Sequence, residues 1–342
     1  MQFDVLIVGQ GLAGTVLGEK FLQEGKSVYF IDQGFENASS VVAAGMYNPV
    51  VFKRVNKSWM VDEILPVALD FYHQFSEKLK AELIYPHQIL KFFANEEYRK
   101  MWVNELGKVQ YLGTVEDQYE NKDVINDFGF GRVTSAGRVV LKDMLTLFRD
   151  QLKSTNCLLE EKFDYDLFTP ELNTYKGINY ERIVFCQGHE GQDNNLFNWL
   201  PLQTAKGELL HIHAPNINSK DLLNKGFFIL PIGDDNYVLG STYSWKDKTN
   251  DPTDEGKEQV LEKFKKLYKG PFKITKHTAG IRPTVSDRRP LVGWHPEYKN
   301  IGIFNGLGAK GVMLAPYFAD QLVASLDSDD VIHSEVDIQR FN

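Results

Sequence analysis

Residues 4–32 constrain the fold of this chain more than any other stretch. The apolar run Asp4-Val5-Leu6-Ile7-Val8 leads into Gly9-Gln10-Gly11-Leu12-Ala13-Gly14, then an amphipathic segment, then a second apolar run, Val28-Tyr29-Phe30-Ile31, that closes on Asp32. Leu12, Ala13, Val16, Leu17 and Phe21 keep the helical period, and Asp32 stands about 20 residues beyond the glycines. Strand, glycine turn, helix, strand and acid in that order form a dinucleotide-binding βαβ unit. Gly9 permits the tight turn out of the strand, Gly11 lets a phosphate approach the backbone, and Gly14 lets helix and sheet pack closely. The pyrophosphate is expected on the helix N-terminus, where free N–H groups and the dipole favour an anion without a basic side chain. Asp32 is placed to accept hydrogen bonds from the adenosine ribose, and its charge disfavours a ligand with a 2′-phosphate.

The chain of 342 residues is 43% hydrophobic and 25% charged, a globular composition large enough for two cores. It lacks the run of about 18 apolar residues that a membrane span needs. The first strand starts almost at once, which leaves no room for a signal peptide. Cys157 and Cys186 have neither disulfide-framework nor zinc-ligand spacing, so a reducing cytoplasm is expected. A net charge of −8 argues against nucleic acid as a general partner.

The remaining pattern is discontinuous. Residues 57–80 read as a helix on the stripe of Trp59, Met60, Ile64, Leu65, Ala68, Leu69, Tyr72 and Phe75. Residues 84–135 break into short strand-like pieces. A second helix is expected near 138–153 on Val140, Leu141, Met144, Leu145, Phe148 and Leu152. Arg182 to Gly188 reads as a further strand of the nucleotide-binding sheet. Residues 206–245 read as an antiparallel sheet in a second layer, and 253–269 as a helix. Ile301 to Asn305, the turn Gly306 to Gly311 and the apolar Val312 to Leu326 repeat the order strand, glycine turn, helix. No HExxH, Gly-x-Ser-x-Gly or Walker lysine is present. His211 and His213 share one face of a strand without a third ligand nearby, so no metal site is expected.

Three C-terminal segments, Ala279-Gly280-Ile281-Arg282-Pro283-Thr284, Asp287-Arg288-Arg289-Pro290-Leu291-Val292-Gly293 and Gly306-Leu307-Gly308-Ala309-Lys310-Gly311, resemble in order three signatures of the D-amino-acid oxidase / glycine oxidase family of flavoproteins. Ser39-Ser40 followed by Ala43 to Pro49, Gly207-Glu208 and Gly240-Ser241-Thr242 are similar to further landmarks of that family. The resemblance implies an α/β fold in which a Rossmann-like FAD-binding domain (1–80, 136–205 and 277–342) is interleaved with an antiparallel-sheet α+β substrate domain (81–135 and 206–276). It implies non-covalent FAD, since no cysteine follows Cys186, held by Gly9, Gly11, Leu12, Ala13, Gly14, Asp32, Gln33, Ser39, Ser40, Ala44, Gly45, Met46, Gly188, Arg282, Gly306, Gly308, Ala309, Lys310 and Gly311.

The activity implied is oxidation of the C–N bond of an amine or amino acid by hydride transfer to flavin N5. O₂ or another carrier would accept the electrons. Arg282 would fork onto the substrate carboxylate; read as structure alone, it would pair with an acid such as Asp287. Arg288 and Arg289 read as structural. Lys310, with the N-terminus of the following helix, would stabilise charge on the flavin pyrimidine, or else be a solvated turn lysine. Phe228 stands where D-amino-acid oxidases carry a tyrosine, and Leu307 where many relatives carry histidine. Tyr243 or Tyr47 could supply the missing hydroxyl, or pack as plain aromatics. Phe228 and Tyr243 are expected to wall the substrate pocket against water. The alternatives kept open are a larger amine substrate, such as modified tRNA, and a non-catalytic flavin-binding protein.

Overall fold

The run Val5 to Val8 is apolar without alternation because it is covered on both faces, as strands of parallel α/β sheets are. The structure is a computed structural model and describes residues 1–34, 38–326 and 332–342. Gln2–Val8 lies at the centre of the first sheet, parallel to Val28–Ile31 on one side and Ile178–Phe185 on the other. Ile301–Asn305 follows parallel to Ile178–Phe185, with Leu291–Trp294 antiparallel at that edge and Leu158–Leu159 at the opposite one. Helices Leu12–Gln23, Val61–Leu79, Leu141–Ser154 and Gly311–Ala324 cover one face through Ile7, Val16, Phe30, Phe75, Phe148 and Phe318. The other face packs on Phe163, Tyr175, Phe185 and Phe197.

The second sheet has nine strands. Its order is Lys273–Val285, Leu202–His213, Asn236–Gly240, Phe228–Gly233, Leu222–Asn224, Ile84–Phe92, Phe130–Val139 and Met46–Tyr47, with Leu112–Glu116 beside Phe130–Val139. One face packs toward the first sheet through Ile89, Leu209, Leu222, Leu230 and Val238. The other is covered by helix Asp254–Lys265 on Leu210, Ile212, Leu239, Val260 and Phe264. The mixed α/β architecture with interleaved layers is the expected one, because three separate pieces of chain, 2–31, 158–185 and 291–305, contribute to the first sheet.

Several elements differ from expectation. The helix expected from 57 begins at Val61, since Asn56–Lys57 pairs with Val50–Val51 and Met60 has φ +49°. The helix expected from 138 begins at Leu141, because Arg138 and Val139 continue the strand Phe130–Val139. The pair Leu222–Asn224 with Ile84–Phe92 is parallel. It is the seam between two distant pieces of chain, so no hairpin fixes its direction. Strands Leu202–His213 and Lys273–Val285 run through the boundaries expected at 205/206 and 276/277, and Met46–Tyr47 also joins the second sheet. Hydrogen bonding continuous along a strand holds it in one sheet whatever its composition.

Residues Glu96–Glu105 form a helix inside the stretch expected to be strand-like. Only Trp102 of this helix is buried, so no apolar stripe announces it. Its signal is local: the Asn95 side chain accepts from the Tyr98 amide at 2.8 Å, and Glu96 and Glu97 occupy the first turn. Asn95→Ala is expected to destabilise this helix by about 1 kcal/mol. Faster hydrogen exchange at Tyr98, with the first sheet unchanged, is the outcome that supports this; an unaltered rate would show the cap to be dispensable.

Candidate active site

Between the two sheets lies a cleft of about 980 Å³ that opens at the C-terminal ends of Gln2–Val8 and Val28–Ile31. This is where parallel sheets bind nucleotides, since strands end there and helices begin. Gly9, Gly11, Leu12 and Ala13 line it. Gly14 does not: a Cβ there would lie 1.9 Å from the Gly9 carbonyl oxygen, so its part is to let the helix seat on the strand. The Leu12 amide donates to Ser40 Oγ at 3.0 Å. The amides of Ala13 and Gly14 have no protein acceptor among the described residues. The helix N-terminus therefore offers free donors to an anion.

Asp32 and Gln33 line the same end of the cleft. Asp32 Oδ2 accepts the Gln10 amide at 2.7 Å, while Oδ1 accepts the Gly34 amide at 2.8 Å and Arg149 Nη1 at 2.7 Å. Two donors fill Oδ1, while Oδ2 keeps one lone pair for a further donor. Gln33 Nε2 donates to Glu190 at 2.8 Å. Arg149 was not anticipated from the sequence. It is 7% exposed, lines the cleft, and also donates to Gln10, the Asp32 carbonyl and Glu160. The available signal was its place in the helix Leu141–Ser154, four residues beyond the buried Leu145 and next to Phe148, where an unpaired arginine would be costly.

Midway along the cleft, Ser39, Ser40, Ala44, Gly45 and Met46 face Gly188, Gly308, Ala309 and Gly311. Gly45 has φ +69°, and a Cβ there would lie 1.9 Å from the Val139 carbonyl oxygen, so only glycine lets the backbone pass. Asn305 is buried and ties the two walls, donating to the Gly188 carbonyl at 2.9 Å and accepting the Gly306 amide at 2.8 Å. Gly306 itself is packed behind the wall against Val285 and Leu291.

Lys310 answers to neither expectation. It does not line the cleft, and its Nζ donates to Ser58 Oγ at 2.8 Å. Burial, and secondly the charge of Arg289, pushes it down to about 8.

At the far end, Arg282, Phe228, Leu209, Leu307 and Ser241 line the cleft. The Arg282 guanidinium lies across Gly207, where a Cβ would meet Nη2 at 2.0 Å. Nη2 donates to Ser241 Oγ at 2.9 Å, while Nη1 is buried without an acceptor. Burial lowers its proton affinity. Asp287 does not reach it, being paired instead with Arg340 at 2.9 Å. Arg289 binds Glu335 at 2.8 Å and lies over the Trp59 ring at 4.0 Å, a structural position as expected. Phe228 packs over Gly240. Tyr243 does not wall the pocket: its ring is 53% exposed at the rim, 5.4 Å from Arg282. Tyr47 is buried against Gly137, outside the lining.

A long cleft with free helix amides at one end, backbone-lined walls in the middle and an orphaned arginine at the other fits an extended dinucleotide together with a small anion. The fold and this site define a dinucleotide-dependent enzyme of the two-sheet Rossmann type. The FAD dependent oxidoreductase (DAO) family matches residues 4–325, and the chain belongs to that family. It is 23% identical over 344 residues to glycine oxidase of Bacillus licheniformis, covering 92% of this chain and 90% of that one. It is 20% identical over 360 residues to the tRNA 5-methylaminomethyl-2-thiouridine biosynthesis bifunctional protein MnmC of Marinobacter nauticus, covering 93% of this chain and 54% of that one. The chain thus spans about half the length of the bifunctional relative. The crystal structure of glycine oxidase from Geobacillus kaustophilus has the same fold, with TM-score 0.83, 20% identity, and 100% and 98% of the two chains covered. No helix among the described residues is long and apolar enough to cross a membrane.

Two predictions follow from the charges. Arg149→Leu leaves the Asp32 carboxylate, 11% exposed, without its cation; a loss of about 3 kcal/mol is expected, seen as a lower urea midpoint. Lys310 and Lys91 both fall to about 8 from 10.5 through burial. Between these values the unfolded chain binds more protons, so stability rises with pH from 8 to about 9.5, below the range where tyrosines titrate. Lys310→Met or Lys91→Met is expected to remove part of that rise; identical urea midpoint profiles for variant and wild type would contradict it.

Proposed function

We propose that the protein binds FAD non-covalently along the cleft and oxidises the C–N bond of a small amino acid or N-substituted glycine. The observation that carries this reading is Arg282: a buried guanidinium with one nitrogen fixed by Ser241, another without an acceptor, and no carboxylate within ion-pair distance. Such a fork is matched by the carboxylate of an amino acid. FAD, when bound, supplies the acceptor for the hydride leaving the substrate Cα.

The chain's own work is binding, orientation and exclusion of water. Gly9, Gly11, Leu12, Ala13 and Gly14 form the turn and helix N-terminus for the pyrophosphate, with Asp32 and Gln33 beside the ribose. Ser39, Ser40, Ala44, Gly45, Met46 and Gly188 bring backbone and small side chains to the middle of the ligand. Gly306, Gly308, Ala309 and Gly311 carry the second helix N-terminus, whose dipole favours negative charge on the adjoining ring. Arg282 fixes the carboxylate, Ser241 fixes Arg282, and Phe228 with Leu209 and Leu307 keeps the Cα–H in an apolar surround. Phe228 offers no hydroxyl, so carboxylate binding falls on Arg282 alone. A neutral amine needs no side-chain base: its lone pair completes the C=N bond as the hydride leaves. The iminium ion so formed then takes up water and breaks down to a carbonyl compound and a protonated amine or ammonium.

Arg282→Met is expected to retain the FAD absorption band and to lower kcat/KM for the amino acid by at least about 100-fold. Anaerobic bleaching of the band by a pool of glycine, sarcosine and D- and L-amino acids is the measurement. A variant that bleaches at the wild-type rate would overturn the assignment.

A further inference from the structure

Tyr243 and Trp245 are 53% and 49% exposed, and their rings meet edge to face at 5.1 Å. Exposed aromatics are ordinarily scattered and mobile, and a touching pair beside a functional cleft calls for a partner. This pair stands on a tethered stretch. The stretch from Ser241 to Thr253 is clamped from beneath by two buried side chains of Leu202–His213. Lys206, 1% exposed, reaches Asp247 at 2.5 Å, Thr249 Oγ1 at 3.3 Å and the Asp251 carbonyl. Glu208, 4% exposed, accepts from the Thr253 amide at 2.9 Å and from its hydroxyl at 2.8 Å. Ser244 pairs through its backbone with Lys206.

The same stretch belongs to the site. Its first residue, Ser241, holds Arg282, the Tyr243 ring lies 5.4 Å from that guanidinium, and Asn250 lines the cleft. A carboxylate on Arg282 therefore places the rest of its molecule toward the Tyr243 ring, which the Trp245 ring extends outward. Glycine or sarcosine is too short to touch them.

We propose that Tyr243 and Trp245 are a stacking platform for an aromatic ring carried by the substrate, which makes the substrate class an amino acid with a flat ring on its nitrogen or its Cα. This rests on the reading of Arg282 as the carboxylate anchor. Preorganised rings lose little freedom on binding, and edge or offset contacts favour an aromatic group over a saturated one of the same size.

The test uses the FAD-loaded full chain and matched pairs: N-benzylglycine against N-(cyclohexylmethyl)glycine, and each enantiomer of phenylalanine against cyclohexylalanine, with sarcosine as the ringless control. In at least one pair the aromatic member is expected to have a KM about fivefold lower. Trp245→Ser is expected to abolish that difference and Trp245→Phe to keep it, with the KM for sarcosine moving less than about twofold in both. Equal KM values in every pair, or a preference that survives Trp245→Ser, would overturn the platform while leaving the amino-acid reading intact. Failure of every compound, sarcosine included, to bleach the flavin band would overturn that reading and the platform with it.

Discussion

The ladder between Leu202–His213 and Lys273–Val285 is the interaction on which the functional end of the molecule depends. It sets Gly207 opposite Gly280 and Ala205 opposite Arg282, so the arginine side chain can lie flat over a backbone that carries no side chain. The same strand turns Lys206 and Glu208 to the other side, where they hold the stretch that supplies Ser241. One register thus fixes Arg282, the Ser241 that orients it and the rim above it. A slip of one residue would turn all of them to the opposite face.

Charge is distributed to match. The chain carries a net −8, yet four basic groups, Lys91, Arg138, Arg282 and Lys310, are held below their ordinary proton affinity by burial. None forms an ion pair among the described residues. Lys91 lies beneath the Phe52 and Tyr98 rings at 5.0 and 5.4 Å and donates to Asn224 at 2.8 Å. Arg138 lies 5.0 Å from the Tyr85 ring. Of the four, Arg282 lines the cleft. At the other end the sign is balanced, with Arg149 paired to Asp32 and Glu160.

Legibility in the sequence followed the range of the interaction concerned. The βαβ opening, the turn Gly306 to Gly311 and the position of Arg282 could be read because each rests on neighbours within a few residues or on a short motif. Residues whose state is set by distant chain could not. Arg149 is 117 residues from the acid it pairs with, and Lys310 is 252 residues from Ser58. Tyr243 reads as a pocket aromatic from its place after Gly240-Ser241-Thr242, but the bridge between Ser244 and Lys206 lifts it to the rim. Glu96–Glu105 escaped because its stability comes from a cap and one tryptophan, with no periodic face.

The sequence by itself determined the nucleotide-binding half of the site, the glycines that admit a ligand to the backbone, and the presence of an arginine suited to a carboxylate. These are properties of turns, helix ends and side-chain chemistry, all local. Only the tertiary structure decided which strands join which sheet, that Arg282 is left with a free nitrogen, that Lys310 bonds to Ser58, and that Tyr243 and Trp245 stand together in solvent. Those outcomes depend on which distant groups reach each other first once the core is packed, and no local pattern encodes that competition.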